Sequence, residues 1–210
     1  MNLQNSLQQY INELSSNSPT PGGGNVAALC GALSASLGTM VCNLTIGKKK
    51  YAEVESEMTA LRQELESFQK IFLVLAEKDN AAFDKVMEAF RMPKESDSEK
   101  EIRNHKIEEA TLGAAAVPSD VMKNCAEILP LLKSIVEKGN KNSISDSGVA
   151  VSLIQTACRS AYLNVLINCA SLNNQTIANE IRKRAEIQVE DVSREAELIL
   201  HQVILLINQA

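Results

Sequence analysis

An aspartate stands where the chain's own periodicity asks for a hydrophobic residue. Val54, Met58, Leu61, Leu65, Phe68, Phe72 and Leu75 recur every three or four positions, and the next slots in that register are Asp79, Ala82, Val86 and Ala89. A carboxylate on such a stripe is either carried outward into solvent as the stripe drifts, or aimed at the interior. In the second case desolvation raises its pKa, and it can hold or release a proton near neutral pH.

A second run repeats the pattern. Counting from Asp146 by fours and threes gives Ala150, Leu153, Ala157, Ala161, Asn164 and Asn168, so two amides lie one turn apart on a face otherwise small and apolar. Buried amides need partners, which a neighbouring helix or a polar heterocycle can supply. Just upstream, "GNKNSISD" offers Asn140, Asn142, Ser143, Ser145 and Asp146. Ser145 or Asp146 is expected as an N-cap, and the loop holds more hydrogen-bonding groups than one cap uses. A third feature is "SPTPGGGNVAAL", in which Gly22, Gly23 and Gly24 lead into a long apolar run. Such glycines form a linker, a helix start, or a bare backbone that a flat ligand can approach.

The elements that must position these residues are helical. A first amphipathic helix is expected over about 2 to 15, with Leu3, Leu7, Tyr10, Ile11 and Leu14 on one stripe. A second covers about 25 to 46, where Ala27, Gly31, Ala35 and Gly38 would let another backbone come close. The third follows "GKKKY" and closes before Pro93. A fourth takes about 99 to 116 after a capping box at Ser96/Glu99 or Ser98/Glu101, and a fifth starts at Pro118 and runs to about 138, capped by Gly139. The sixth covers 147 to 171 and the seventh 174 to 207. The expected fold is one all-α domain over 1–210, a bundle of about seven helices with the second and sixth central and nearly uncharged.

Composition sets the outer limits. Of 210 residues, 45% are hydrophobic and 3% aromatic, and the net charge is -5. That balance suits a helical domain and lacks the basic footprint of a nucleic-acid binder. Five cysteines and two histidines show no metal-ligand spacing, so buried free thiols in a reducing cytoplasm are expected, with no metal. From Leu14 to Gly47 there is no charged residue, a length sufficient to cross a bilayer. Asn25, Ser34, Ser36, Thr39, Asn43 and Thr45 punctuate it, and a buried helix is expected in place of a membrane span.

Together these stretches resemble a known family. "PTPGGGNVAAL", "GKKKY", "DNAAFDKVMEAFRMPK", "AAAVP", "GNKNSISD" and "AYLNVLIN" occur in the order of the cyclodeaminase domain of formiminotransferase-cyclodeaminase, whose single-domain bacterial relatives include methenyltetrahydrofolate cyclohydrolases. The resemblance spans about 3 to 205. It implies a helical homodimer acting on a tetrahydrofolate one-carbon derivative as substrate, without a cofactor, metal or nicotinamide. It implies Asp79 as the catalytic acid/base and Gly22, Gly23, Gly24, Asn140, Ser145, Asp146 and Asn164 as substrate-side residues. Lys48, in the run Lys48 to Lys50, is expected to reach the glutamate tail. Where mammalian-type sequences carry Ser after the glycines, this chain has Asn25. The competing class is a non-catalytic helical folate-binding or dimerisation module, and a buried, titrating Asp79 discriminates against it.

Overall fold

A computed structural model describes residues 6–209. Among them are six α-helices: α1 (Leu7–Leu14), α2 (Gly23–Thr45), α3 (Glu55–Phe90), α4 (Asp97–Lys138), α5 (Ile144–Ala170) and α6 (Gln175–Asn208), with short 3₁₀ segments at Lys49–Val54 and Lys141–Ser143. The first helix begins later than its stripe suggested, and Leu3 lies outside the described residues. Its start is set by a capping box between Ser6 and Gln9. At α4 the Ser96/Glu99 capping box forms, as the first of the two expected options.

The expected break at Pro118 does not occur, and α4 runs straight through it. Proline there removes the N–H that would bond to the Ala114 carbonyl. Asn168 of α5 replaces it, its Nδ2 donating to Ala114 O at 3.0 Å. A side chain from a distant element thus heals the helix, which is why the bundle has six α-helices and not about seven.

The two nearly uncharged helices, α2 and α5, pack antiparallel, with Ser34 Oγ donating to Ala150 O at 2.7 Å between them. α2 also packs on α3 and α4, and α5 on α4 and α6. The small-residue face of α2 receives its neighbours closely: a Cβ on Gly31 would lie 2.5 Å from the Phe72 ring, and one on Gly38 3.0 Å from Leu132. Gly47, with φ 75°, turns the chain after α2 in a conformation open to glycine. Centrality is incomplete, however. Leu33, Met40 and Leu44 of α2 and Val149, Leu163 and Ile167 of α5 are exposed. Both helices are long and apolar enough to cross a membrane, with 56% of the α2 window and 39% of the α5 window buried within the chain. Cys42, Cys125, Cys158 and Cys169 are buried free thiols, and Cys30 is half-buried.

Candidate active site

The N-terminus of α2 brings together residues from four helices. Gly22 is the N-cap in extended conformation, so the helix begins at Gly23, two residues before the expected start. Its first turn presents backbone without side chains. Gly24 faces α3, where a Cβ would lie 2.6 Å from Asp79 Cγ and 2.9 Å from Oδ2. Real Cβ atoms do not come that close, so only glycine allows the Asp79 carboxylate to rest on the turn. Gly23 faces α5, where a Cβ would meet the Asn164 amide at 3.6 Å, an ordinary contact.

Asp79 is therefore turned inward, half-buried beneath the helix terminus. Burial raises its pKa above the usual 3.8, while the backbone N–H of Asn25 works in the opposite direction. The positive end of the α2 dipole also favours the anion. Such a carboxyl is suited to exchange a proton with a bound cationic group.

Asn25 fixes this arrangement. It is fully buried, and its Nδ2 donates to Ala76 O at 2.7 Å and reaches Asn80 Oδ1 at 3.4 Å. Its Oδ1 accepts from the Tyr10 hydroxyl at 2.9 Å. Neither Tyr10 nor Asn25 was singled out as a site residue by sequence. The pattern placed Tyr10 on an ordinary apolar stripe, and the polar signal of Asn25 was absorbed into an uncharged helix. Asn164 donates from Nδ2 to Ser160 O of its own helix at 2.9 Å and lies against Gly23, whereas Asn168 has the structural role at Pro118.

The remaining expected site residues sit at the other end of α2, about 33 Å away at a rise of 1.5 Å per step from its first to its last residue. Asn140 Nδ2 donates to Leu44 O at 2.8 Å, its N–H donates to Thr45 Oγ1 at 2.9 Å, and its Oδ1 accepts from Asn142 N–H at 3.1 Å. Tyr51 Oη accepts from the Lys141 N–H at 2.9 Å and ties in the 3₁₀ segment after Lys48, which is exposed. The N-cap of α5 is Ser143, without a side-chain cap bond, so Ser145 and Asp146 fall inside the first turn and neither caps it. The chain reverses direction between α2 and α5, and this puts Asn164 at the Asp79 end and Asp146 at the other.

A cavity of about 680 Å³ opens between α3 and α4 and is lined by Lys78, Ala82, Lys85, Lys106, Gly113 and Val117 among others. It is the neighbour of the Asp79 site and does not contain it, because Asp79 faces α2. On the Asp79 side an inward carboxyl, bare backbone and an amide converge. Among the described residues no three His, Cys, Asp or Glu side chains gather as metal ligands.

The family model described as formiminotransferase-cyclodeaminase matches residues 6–187. The methenyltetrahydrofolate cyclohydrolase of Methylorubrum extorquens is 43% identical over 180 residues, covering 86% of each chain. The formimidoyltransferase-cyclodeaminase of Rattus norvegicus is 29% identical over 198 residues, which are 94% of this chain but 37% of that protein. A crystal structure of formiminotetrahydrofolate cyclodeaminase from Thermotoga maritima superposes with a TM-score of 0.80 at 31% identity, covering 96% of this chain and 98% of that one.

Proposed function

This chain belongs to the formiminotransferase-cyclodeaminase family, and on that footing we propose that it is an enzyme of one-carbon folate chemistry working at the carbon held between N5 and N10 of tetrahydrofolate. The observation that carries the mechanism is the inward Asp79 carboxyl lying on the side-chain-free first turn of α2.

In the cyclohydrolase direction, water adds to the methenyl carbon of 5,10-methenyltetrahydrofolate. The tetrahedral carbon then expels N5, giving 10-formyltetrahydrofolate and a proton. Asp79 stabilises the amidinium-like cation, takes the proton from the attacking water and passes it on. In the cyclodeaminase direction, N10 adds to the formimino carbon of 5-formiminotetrahydrofolate and ammonia leaves, giving the same methenyl compound. The same carboxyl delivers the proton that the departing nitrogen requires. The first reading is favoured by the 43% identical cyclohydrolase, the second by the single-domain cyclodeaminase that matches along nearly its whole length. The tetrahydrofolate derivative is substrate, and the steps call on no cofactor.

The assembly in this reading is a homodimer. The exposed apolar faces of α2 and α5 form the contact, around Leu33, Leu44 and Leu163. A two-fold contact that sets α2 against its copy in antiparallel fashion brings the Asp79 end of one protomer to the far end of the other. There Lys48, Asn140, Ser145 and Asp146 complete the folate site. Steady-state assays with 5-formimino- and 5,10-methenyltetrahydrofolate side by side test the function. Turnover of either supports it, and turnover of neither overturns it.

A further inference from the structure

The residue of α1 that is buried is Tyr10, while Leu7, Ile11 and Leu14 on the same stripe are exposed. The helix is therefore anchored at one side chain, and the anchor ends on a buried amide. Tyr10 Oη donates to Asn25 Oδ1 at 2.9 Å, and the opposite end of that amide donates to Ala76 O, less than one turn before Asp79. The Asp79 carboxylate rests on the neighbouring Gly24 of this turn, where the backbone N–H of Asn25 favours its charged form.

We propose that Tyr10 is a positioning residue for Asp79, acting through Asn25: its hydroxyl fixes the orientation of the Asn25 amide, and that amide holds the first turn of α2, with its N–H donor, against the carboxylate. The amide orientation follows from the partners. Ala76 O can only accept, so Nδ2 must face α3, and Oδ1 is left facing α1, where a buried acceptor needs a donor. With the hydroxyl removed, Oδ1 is stranded in a fully buried position. The amide then rotates or draws in water, and the α2 turn loosens over Asp79.

The amino terminus also favours the charged form of Asp79, and the other ionisable surroundings leave this relay distinct. From α1 comes Tyr10, with its hydroxyl pKa pushed up by burial and then by Cys30. From α2 comes Cys30, whose thiol is also raised by burial. From α5 the neutral Asn164 amide approaches. On α3 itself Glu77 and Lys78 are exposed, and across the α3/α4 groove Asp120 stands with Lys78. At neutral pH the donor that differs between Tyr and Phe at position 10 is the hydroxyl alone.

The inference rests on Asp79 being the acid/base of the proposed reaction, so its test includes a reading that needs no turnover. The side-chain carboxyl of Asp79 is titrated by ¹³C NMR in wild type, Tyr10→Phe, Asn25→Ser and the double variant. Urea midpoints record folding. Tyr10→Phe, which keeps the ring, is expected to move the Asp79 midpoint upward, because the Asn25 N–H that favours the anion is weakened. In Asn25→Ser, Tyr10→Phe is expected to produce no further movement. With the better folate substrate, kcat at pH 7 should fall about five- to tenfold, the effect of one perturbed hydrogen bond, with KM little changed. An unmoved midpoint in folded Tyr10→Phe, or fully additive shifts in the double variant, overturns the relay. Absence of folate turnover with the midpoint shifted would count against the proposed reaction and leave the relay standing.

Discussion

The Asp79 carboxylate occupies the space that a side chain at Gly24 would need, with its Cγ 2.6 Å from where that Cβ would stand. The two residues are far apart in sequence, and each accounts for the other. Glycine at 24 admits the carboxylate, and the carboxylate explains why glycine is required.

Gly24→Ala should accordingly displace Asp79. The overpacking should cost about 1–3 kcal/mol of stability, read as a lower urea midpoint, with most activity lost. Gly23→Ala makes an ordinary contact with Asn164 and should fold like wild type. Its expected defect is a raised KM, because the new methyl obstructs approach to the backbone. Equal behaviour of the two variants would contradict the geometry.

Asp79→Asn keeps shape but carries neither proton nor charge. Turnover should fall by roughly 10²–10⁴-fold, with folate affinity changed far less. One limb of the pH–rate profile should disappear. Full activity with an unmoved profile would remove Asp79 from the mechanism.

The same substitution has a stability signature with a definite sign. Burial raises the Asp79 pKa above 3.8, so the folded state binds the proton more tightly than the unfolded one. The wild type therefore loses stability as pH rises from the ordinary carboxylate pKa through the raised folded value, and below that window the group costs nothing. Chemical denaturation across pH should show Asp79→Asn gaining on wild type through this window and level with it at lower pH. A gain that instead grows toward acid would show the pKa to be depressed.

Asn168 and Pro118 should be coupled. Asn168→Ala strands the buried Ala114 carbonyl and should cost about 1–3 kcal/mol. Pro118→Ala restores the backbone donor, so Asn168→Ala in that background should cost clearly less. A double-mutant cycle from thermal or urea unfolding measures the difference.

Leu33→Glu places a charge on the exposed apolar face of α2 and barely touches the chain's own core, because Leu33 is 48% exposed. If that face is the homodimer contact, sedimentation at micromolar concentration should find dimeric wild type and monomeric variant. Folate turnover should fall with the dimer. A monomeric wild type would leave the far cluster around Lys48 and Asn140 without a place in the reaction.

The sequence by itself determined the helical class and the inner register of α3, because a helix records which face it buries in its own spacing. That register identified Asp79, and the Ser96/Glu99 cap was equally local. What Asp79 rests on, however, was decided only by the packing of α3 on α2. The same is true of the continuity of α4 through Pro118, which depends on an amide some fifty positions downstream. The antiparallel course of α2 and α5 also sorted the expected site residues into two clusters at opposite ends of one helix. Periodicity reports which way a side chain faces along its own element. Which distant residue fills the space opposite is set when the elements close on one another, and only the tertiary structure carries that pairing.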